Sequence, residues 1–161
     1  MTTTNSAFRV LPLPADVLRR VRDGEPDASG NAAVHLVAEG GEPLRCCLRN
    51  AEPGADLLLF GYEPSIPASP YREVGAVLAH AGPCPGPSST ETYPPDWRGR
   101  PQVLRAYDRR GWIHDSTTVH DGQDPEAVIA RLLADPEVAH VHSRNVAWGC
   151  YMFAITRPDE P

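Results

Sequence analysis

Three stretches of this chain gather side chains able to move protons or hold charge. Ser69-Pro70-Tyr71-Arg72-Glu73 leads to His80 and Cys84; Arg105-Ala106-Tyr107-Asp108 follows; and His140-Val141-His142-Ser143-Arg144-Asn145 precedes Gly149-Cys150. Carboxylates and imidazoles are ordinary general acids and bases, and guanidinium is the ordinary clamp for a carboxylate or phosphate. Glu73 with His80 or His142 is therefore the candidate proton-moving group. Arg72, Arg105, Tyr107, Arg144 and Tyr71 are the candidates for binding a small anionic or aromatic substrate.

Strand periodicity sharpens this set, because residues two apart share a face. Arg105 falls with Tyr107, and His140 and His142 fall with Arg144. On a regular strand Glu73 and His80 would face opposite ways. An arginine within a sheet stays charged and needs a carboxylate or an anionic ligand; removing a buried partner costs roughly 3–5 kcal/mol. The acids available to meet these arginines are Glu73, Asp108 and Asp115, so convergence of Arg45, Arg72, Arg105 and Arg144 would leave positive charge for a carboxylate- or phosphate-bearing molecule. The competing expectation puts several of them on a solvated sheet face.

Other chemistries are less well marked. His80-x-x-x-Cys84, the pair His140 and His142, and Cys47 or Cys150 are zinc-ligand types, but neither CxxC nor HExxH occurs, so the site is read without a metal and without a cofactor. Cys84 or Cys150 paired with a histidine would make a thiolate nucleophile, though nothing around either marks it as one. Ser69 lacks the Gly-x-Ser-x-Gly elbow, and no Gly-x-Gly-x-x-Gly dinucleotide fingerprint is present.

Composition excludes more. The fifteen basic residues are all arginine. Without lysine there is no protein Schiff base, no pyridoxal anchor, no P-loop lysine and no kinase lysine. A formal charge of -6 argues against nucleic acid as partner. No apolar run approaches a membrane span and the first residues show no leader, so a cytoplasmic protein with free thiols and no membrane partner is expected. A homodimer remains open.

The elements that must position these residues follow from punctuation and periodicity. Pro14 to Gly24 reads as a short amphipathic helix, and Asp124-Pro125-Glu126 opens a second, ended by Pro136. Strands are expected over 32–38, 44–49, 56–62, 73–80, 102–107, 112–120, 138–142 and 148–156, the fifth and sixth forming a hairpin about Asp108-Arg109-Arg110-Gly111. On a strand over 44–49, Cys46 would face the core and Cys47 the other side. Residues 82–101, rich in proline, read as a long loop, and Pro158 onward as a frayed tail. The sum is one domain over 1–161, ordered over about 7–157, of class α+β: a mainly antiparallel curved sheet or partial barrel with two short helices.

Leu44-Arg45-Cys46-Cys47-Leu48-Arg49, Ser69 to Gly75 with His80 and Cys84, Arg105 to Asp108, and Arg144 with Cys150 together resemble the bacterial domain of unknown function family 1203. The resemblance runs over roughly residues 7–157. It departs from the family pattern at Ala76-Val77-Leu78, where Pro-Ile-Phe is expected; the lost bulk would open a pocket or repack a core. The family name implies no activity. The residues themselves point to a cofactor-independent enzyme of bacterial, specialised metabolism using acid/base chemistry on an anionic substrate. Condensation, cyclisation or isomerisation would suit it, with Pictet–Spengler-type ring closure as an example that uses the substrate's own amine. The alternative is a non-catalytic ligand- or zinc-binding accessory module.

Overall fold

The computed structural model describes residues 6–160. The first five residues, read above as free of a leader, and Pro161 lie outside the described residues. Strands β1 (Arg9–Leu11), β2 (Val34–Val37), β3 (Pro43–Leu44), β4 (Arg49–Asn50), β5 (Asp56–Tyr62), β6 (Gly75–His80), β7 (Gln102–Tyr107), β8 (Thr118–His120), β9 (His140–Asn145) and β10 (Tyr151–Thr156) form two five-stranded sheets. Helices α1 (Ala15–Arg22) and α2 (Pro125–Ala134) complete the α+β fold, and a 3-10 turn spans Pro95–Trp97. Neither sheet closes into a barrel: one has the order β1-β10-β9-β7-β8, the other β2-β5-β6-β3-β4. The second contains the fold's parallel pairing, β3 with β6.

The first sheet is antiparallel throughout, and its register sorts side chains by chemistry. Leu104, Ala106, Val141, Phe153 and Ile155 face one way and pack with Ile129, Leu132 and Leu133 of α2. Helix α2 starts where Asp124 Oδ1 accepts from the Ala127 amide at 3.2 Å, with proline in the first turn. It ends under Arg157, whose guanidinium donates to the carbonyls of Leu133 and Asp135. In the tail beyond it, Glu160 lies 3.6 Å from the Arg157 guanidinium.

The opposite face of the same sheet is polar, because Tyr107 lies across from His140, Arg105 from His142, and Tyr151 from Arg144. A bulge between Tyr151 and Phe153 carries β10 across parity. It lets Tyr151 join the polar face while Phe153 joins the apolar one, a reversal that regular alternation forbids.

The second sheet corrects one expectation. Residues 44–49 are not a strand: β3 stops at Leu44, the chain turns through Arg45 to Leu48, and β4 resumes at Arg49. Leu48 closes the turn at φ +56°, the sole non-glycine residue at positive φ among those described. Alternation therefore does not apply there, and Cys46 and Cys47 are both buried. Arg45 is buried too; its Nε donates to the Tyr151 carbonyl at 2.8 Å and NH1 to the Pro43 carbonyl at 2.5 Å, joining the second sheet to β10. Burial lowers its pKa to about 10, which still leaves it charged at neutral pH.

The loop 82–101 and the segment 108–120, expected as a hairpin turn and strand, are held by named contacts. In 82–101, Tyr93 and Trp97 are fully buried against Phe153, and Trp97 Nε1 donates to Asn50 Oδ1 at 2.9 Å. The expected strand 112–120 pairs only at Ile113 and from Thr118, because Asp108 Oδ1 accepts from the amides of Arg110 and Trp112 and curls the chain. Gly111 ends that curl at φ +80°, and a Cβ there would lie 2.7 Å from the Pro67 carbonyl oxygen. With Ser69 Oγ donating to the Gly111 carbonyl at 2.8 Å, this turn docks the segment that carries Glu73.

Candidate functional site

The polar face of the first sheet meets Glu73 just before β6 begins. One carboxylate oxygen, Oε1, accepts from Arg105 NH1 at 3.0 Å and also from Arg144 NH2. Two guanidiniums thus share one acid, which leaves a local surplus of one positive charge. The Arg144 side chain is 9% exposed, whereas that of Glu73 is 46% exposed. Arg144 NH1 is fixed by the Gly149 carbonyl at 2.9 Å, and its buried Nε has no hydrogen-bond partner among the described residues.

Beside this cluster is a recess of about 160 Å³ lined by Glu73, Ala76, Arg144, Trp148, Cys150, Tyr62 and Tyr151. Tyr62 and Tyr151, with ring centroids 5.4 Å apart, also border a larger cavity of about 620 Å³. That cavity is lined by His140, His142, Ala154 and Thr156 of the first sheet and by Pro12, Pro14 and the segment Ser65–Pro67. Its size is that of an ordinary small-ligand site. His140 Nε2, His142 Nδ1 and Thr156 Oγ1 are buried and have no protein partner among the described residues. Buried polar atoms are nearly always satisfied, so three such atoms on residues that line one cavity depart from the rule.

Aromatic stacking holds the imidazoles. Tyr107 stacks on His140 at 5.1 Å and meets His142 edge-on at 4.8 Å, while Tyr151 meets His142 edge-on at 5.2 Å. Burial, followed by the neighbouring His140 and the charges of Arg144 and Arg105, pushes the His142 pKa well below the ordinary imidazole value; burial also lowers that of His140. Both rings are therefore neutral at neutral pH. Burial raises the Tyr62 and Tyr151 hydroxyl pKa values, so these remain protonated donors.

Of the residues singled out from sequence, the structure brings together Glu73, Arg105, Tyr107, His142 and Arg144. His80 lies at the far end of β6 from Glu73, with Nδ1 3.6 Å from Cys46 Sγ. Arg72 pairs with Glu63 at 2.7 Å, and Tyr71 packs edge-on to Trp112 at the surface. Asp108 is taken by Arg110 at 2.7 Å. Periodicity gave no reason to add Tyr62 or Tyr151; the first comes from the other sheet and the second depends on the bulge.

No curated protein and no solved structure matches this chain. The elements that carry the cluster, β5, β6, β7, β9 and β10, all fall inside one family match, while β1, α1 and β2 lie ahead of it. That match is narrower at its N-terminal side than the resemblance read from sequence motifs. Covering residues 41–157, it shows that the chain belongs to the family described as protein of unknown function (DUF1203).

Proposed function

We propose that this protein binds a small carboxylate-bearing molecule on the polar face of its first sheet and acts on it by acid/base chemistry without a cofactor. The observation that carries the reading is the pairing of Arg105 and Arg144 with a single, half-exposed Glu73 beside a cavity edged by neutral histidines. The incoming carboxylate takes Arg144 NH2 in place of Glu73, an exchange in which one carboxylate replaces another. Glu73, still paired with Arg105 but no longer with Arg144, is then placed to take or return a proton. The body of the ligand lies along Tyr62 and Tyr151 toward His142, whose neutral ring orients it through hydrogen bonding. Positioning supplies most of the rate in such a site. Condensation, ring closure or isomerisation of an aromatic amino or keto acid fits this inventory, since an imine formed here must use the substrate's own nitrogen.

A thermal-shift screen of aliphatic and aromatic carboxylates, followed by mass-spectrometric detection of product, tests the reading. Arg144→Met should weaken binding of any hit by roughly tenfold or more, the worth of a lost charge-assisted pair. Glu73→Gln should keep binding and lose turnover. Unchanged affinity in Arg144→Met would reject the anion site, and full turnover in Glu73→Gln would remove Glu73 from proton transfer.

A further inference from the structure

At the other end of β6 from the arginine cluster, four soft or imidazole donors meet. Cys46 and Cys47 sit in the turn between β3 and β4, His80 ends β6, and Cys84 follows four residues later; one ligand atom from each lies within 4.8 Å of all the others. Cys46 and Cys47 are buried at the back, while His80 and Cys84 are half-buried at the front. Adjacent cysteines on a strand would point apart. Here the turn closed by Leu48 at positive φ aims both thiols the same way.

Hydrogen bonds fix the backbone around the cluster. The His80 amide donates to Cys46 Sγ at 3.3 Å, a bond that a thiolate accepts better than a thiol does. Arg49 follows Cys47 by two residues and brings a positive charge to this end of the cluster. Arg22 Nε and NH2 hold the His80 carbonyl at 3.2 and 3.1 Å, fixing the backbone that carries the imidazole.

We propose that Cys46, Cys47, His80 and Cys84 form a tetrahedral zinc site that clips the start of the 81–101 loop to the β3–β4 turn. Zinc–sulfur bonds of about 2.3 Å and zinc–nitrogen bonds of about 2.0–2.1 Å at tetrahedral angles set neighbouring donors roughly 3.6 Å apart. His80 Nδ1 and Cys46 Sγ are already 3.6 Å apart. Binding releases the thiol protons and leaves a centre of net charge -1, which Arg49 offsets. All four positions are filled by protein, so the metal holds structure and keeps no open place for substrate. The site is independent of the carboxylate cleft and stands or falls without it.

Elemental analysis of full-length protein purified without chelator should find about one zinc per chain. Cobalt(II) added to chelator-treated protein should give the ligand-field bands of a tetrahedral ion together with thiolate-to-metal charge transfer. His80→Gln and Cys84→Ser, changed at the half-buried positions, should each weaken zinc binding by roughly 100-fold or more. Failure of the wild-type protein to bind zinc or cobalt at micromolar concentration would overturn the proposal, as would a cobalt spectrum lacking thiolate bands. A disulfide within the cluster in protein kept under reductant would also overturn it, in favour of a redox pair.

Discussion

Arg144 is the side chain on which the site turns. It is nearly buried, it lies across β9 and β10 from Tyr151, and its charge is met by a carboxylate that solvent also reaches. Truncating an arginine in such a place removes packing together with the proposed clamp. Glu73 differs: half-exposed, it contributes little to folding, and Glu73→Gln should move the unfolding free energy by no more than about 1 kcal/mol. Urea unfolding of that variant checks the separation of fold from function, and a loss several times larger would make Glu73 a structural residue. Alternation made Arg105, Tyr107, His142 and Arg144 legible in the sequence, because β7 and β9 are regular across all of them. It failed for Arg72, since Glu63 nine residues earlier captures that guanidinium, and for Cys47, since a turn replaces the expected strand.

At the scale of elements, the site depends on pieces that carry none of its chemistry. The turn at Gly111 braces the segment from Pro67 to Ser69, which in turn leads to Glu73. Gly111→Ala should strain the backbone by about 1–2 kcal/mol and push that segment away. The expected outcome is weaker carboxylate binding with every ligand-facing residue intact; unchanged binding would free the site from this brace. Similarly, Trp97→Ala should cost about 3–5 kcal/mol, because the ring fills space between Asn50 and Phe153 that little else can reach. A loss below about 1 kcal/mol in urea unfolding would mean that the loop is not anchored there. The helices were plain in sequence from their proline starts and caps. The loop's anchors were not, since proline-rich composition conceals how deeply two aromatics are inserted. The bulge at Tyr151–Phe153 left no trace in hydrophobic pattern either, because aromatic residues occupy both sides of it.

For the molecule as a whole, burying neutral histidines links folding to pH. His142 and His140 have native pKa values below their unfolded value of 6.5. Between those values the unfolded chain binds protons that the native state excludes, so stability is full above about pH 6.5 and is lost as pH falls toward the native pKa. Each such histidine contributes a slope of about 1.4 kcal/mol per pH unit in that window. Melting temperature should therefore fall from about pH 7 to about pH 5.5, and His142→Asn should flatten the fall; an equal slope in the variant would remove His142 as its source. Among the described residues, no helix is long and apolar enough to cross a membrane. The polar face of the first sheet is bounded by the loop 63–72 and the second sheet, and a bound anion there should oppose the acid loss. Nitrogen-detected NMR of arginine side chains, recorded while aliphatic and aromatic carboxylates are added, reads the proposed anion site directly. At least one carboxylate should shift the Arg144 Nε–H and the His142 ring signals together, at saturable concentration. Shifts confined to surface arginines such as Arg109 or Arg110, with Arg144 unmoved by every carboxylate, would contradict a binding site on this face.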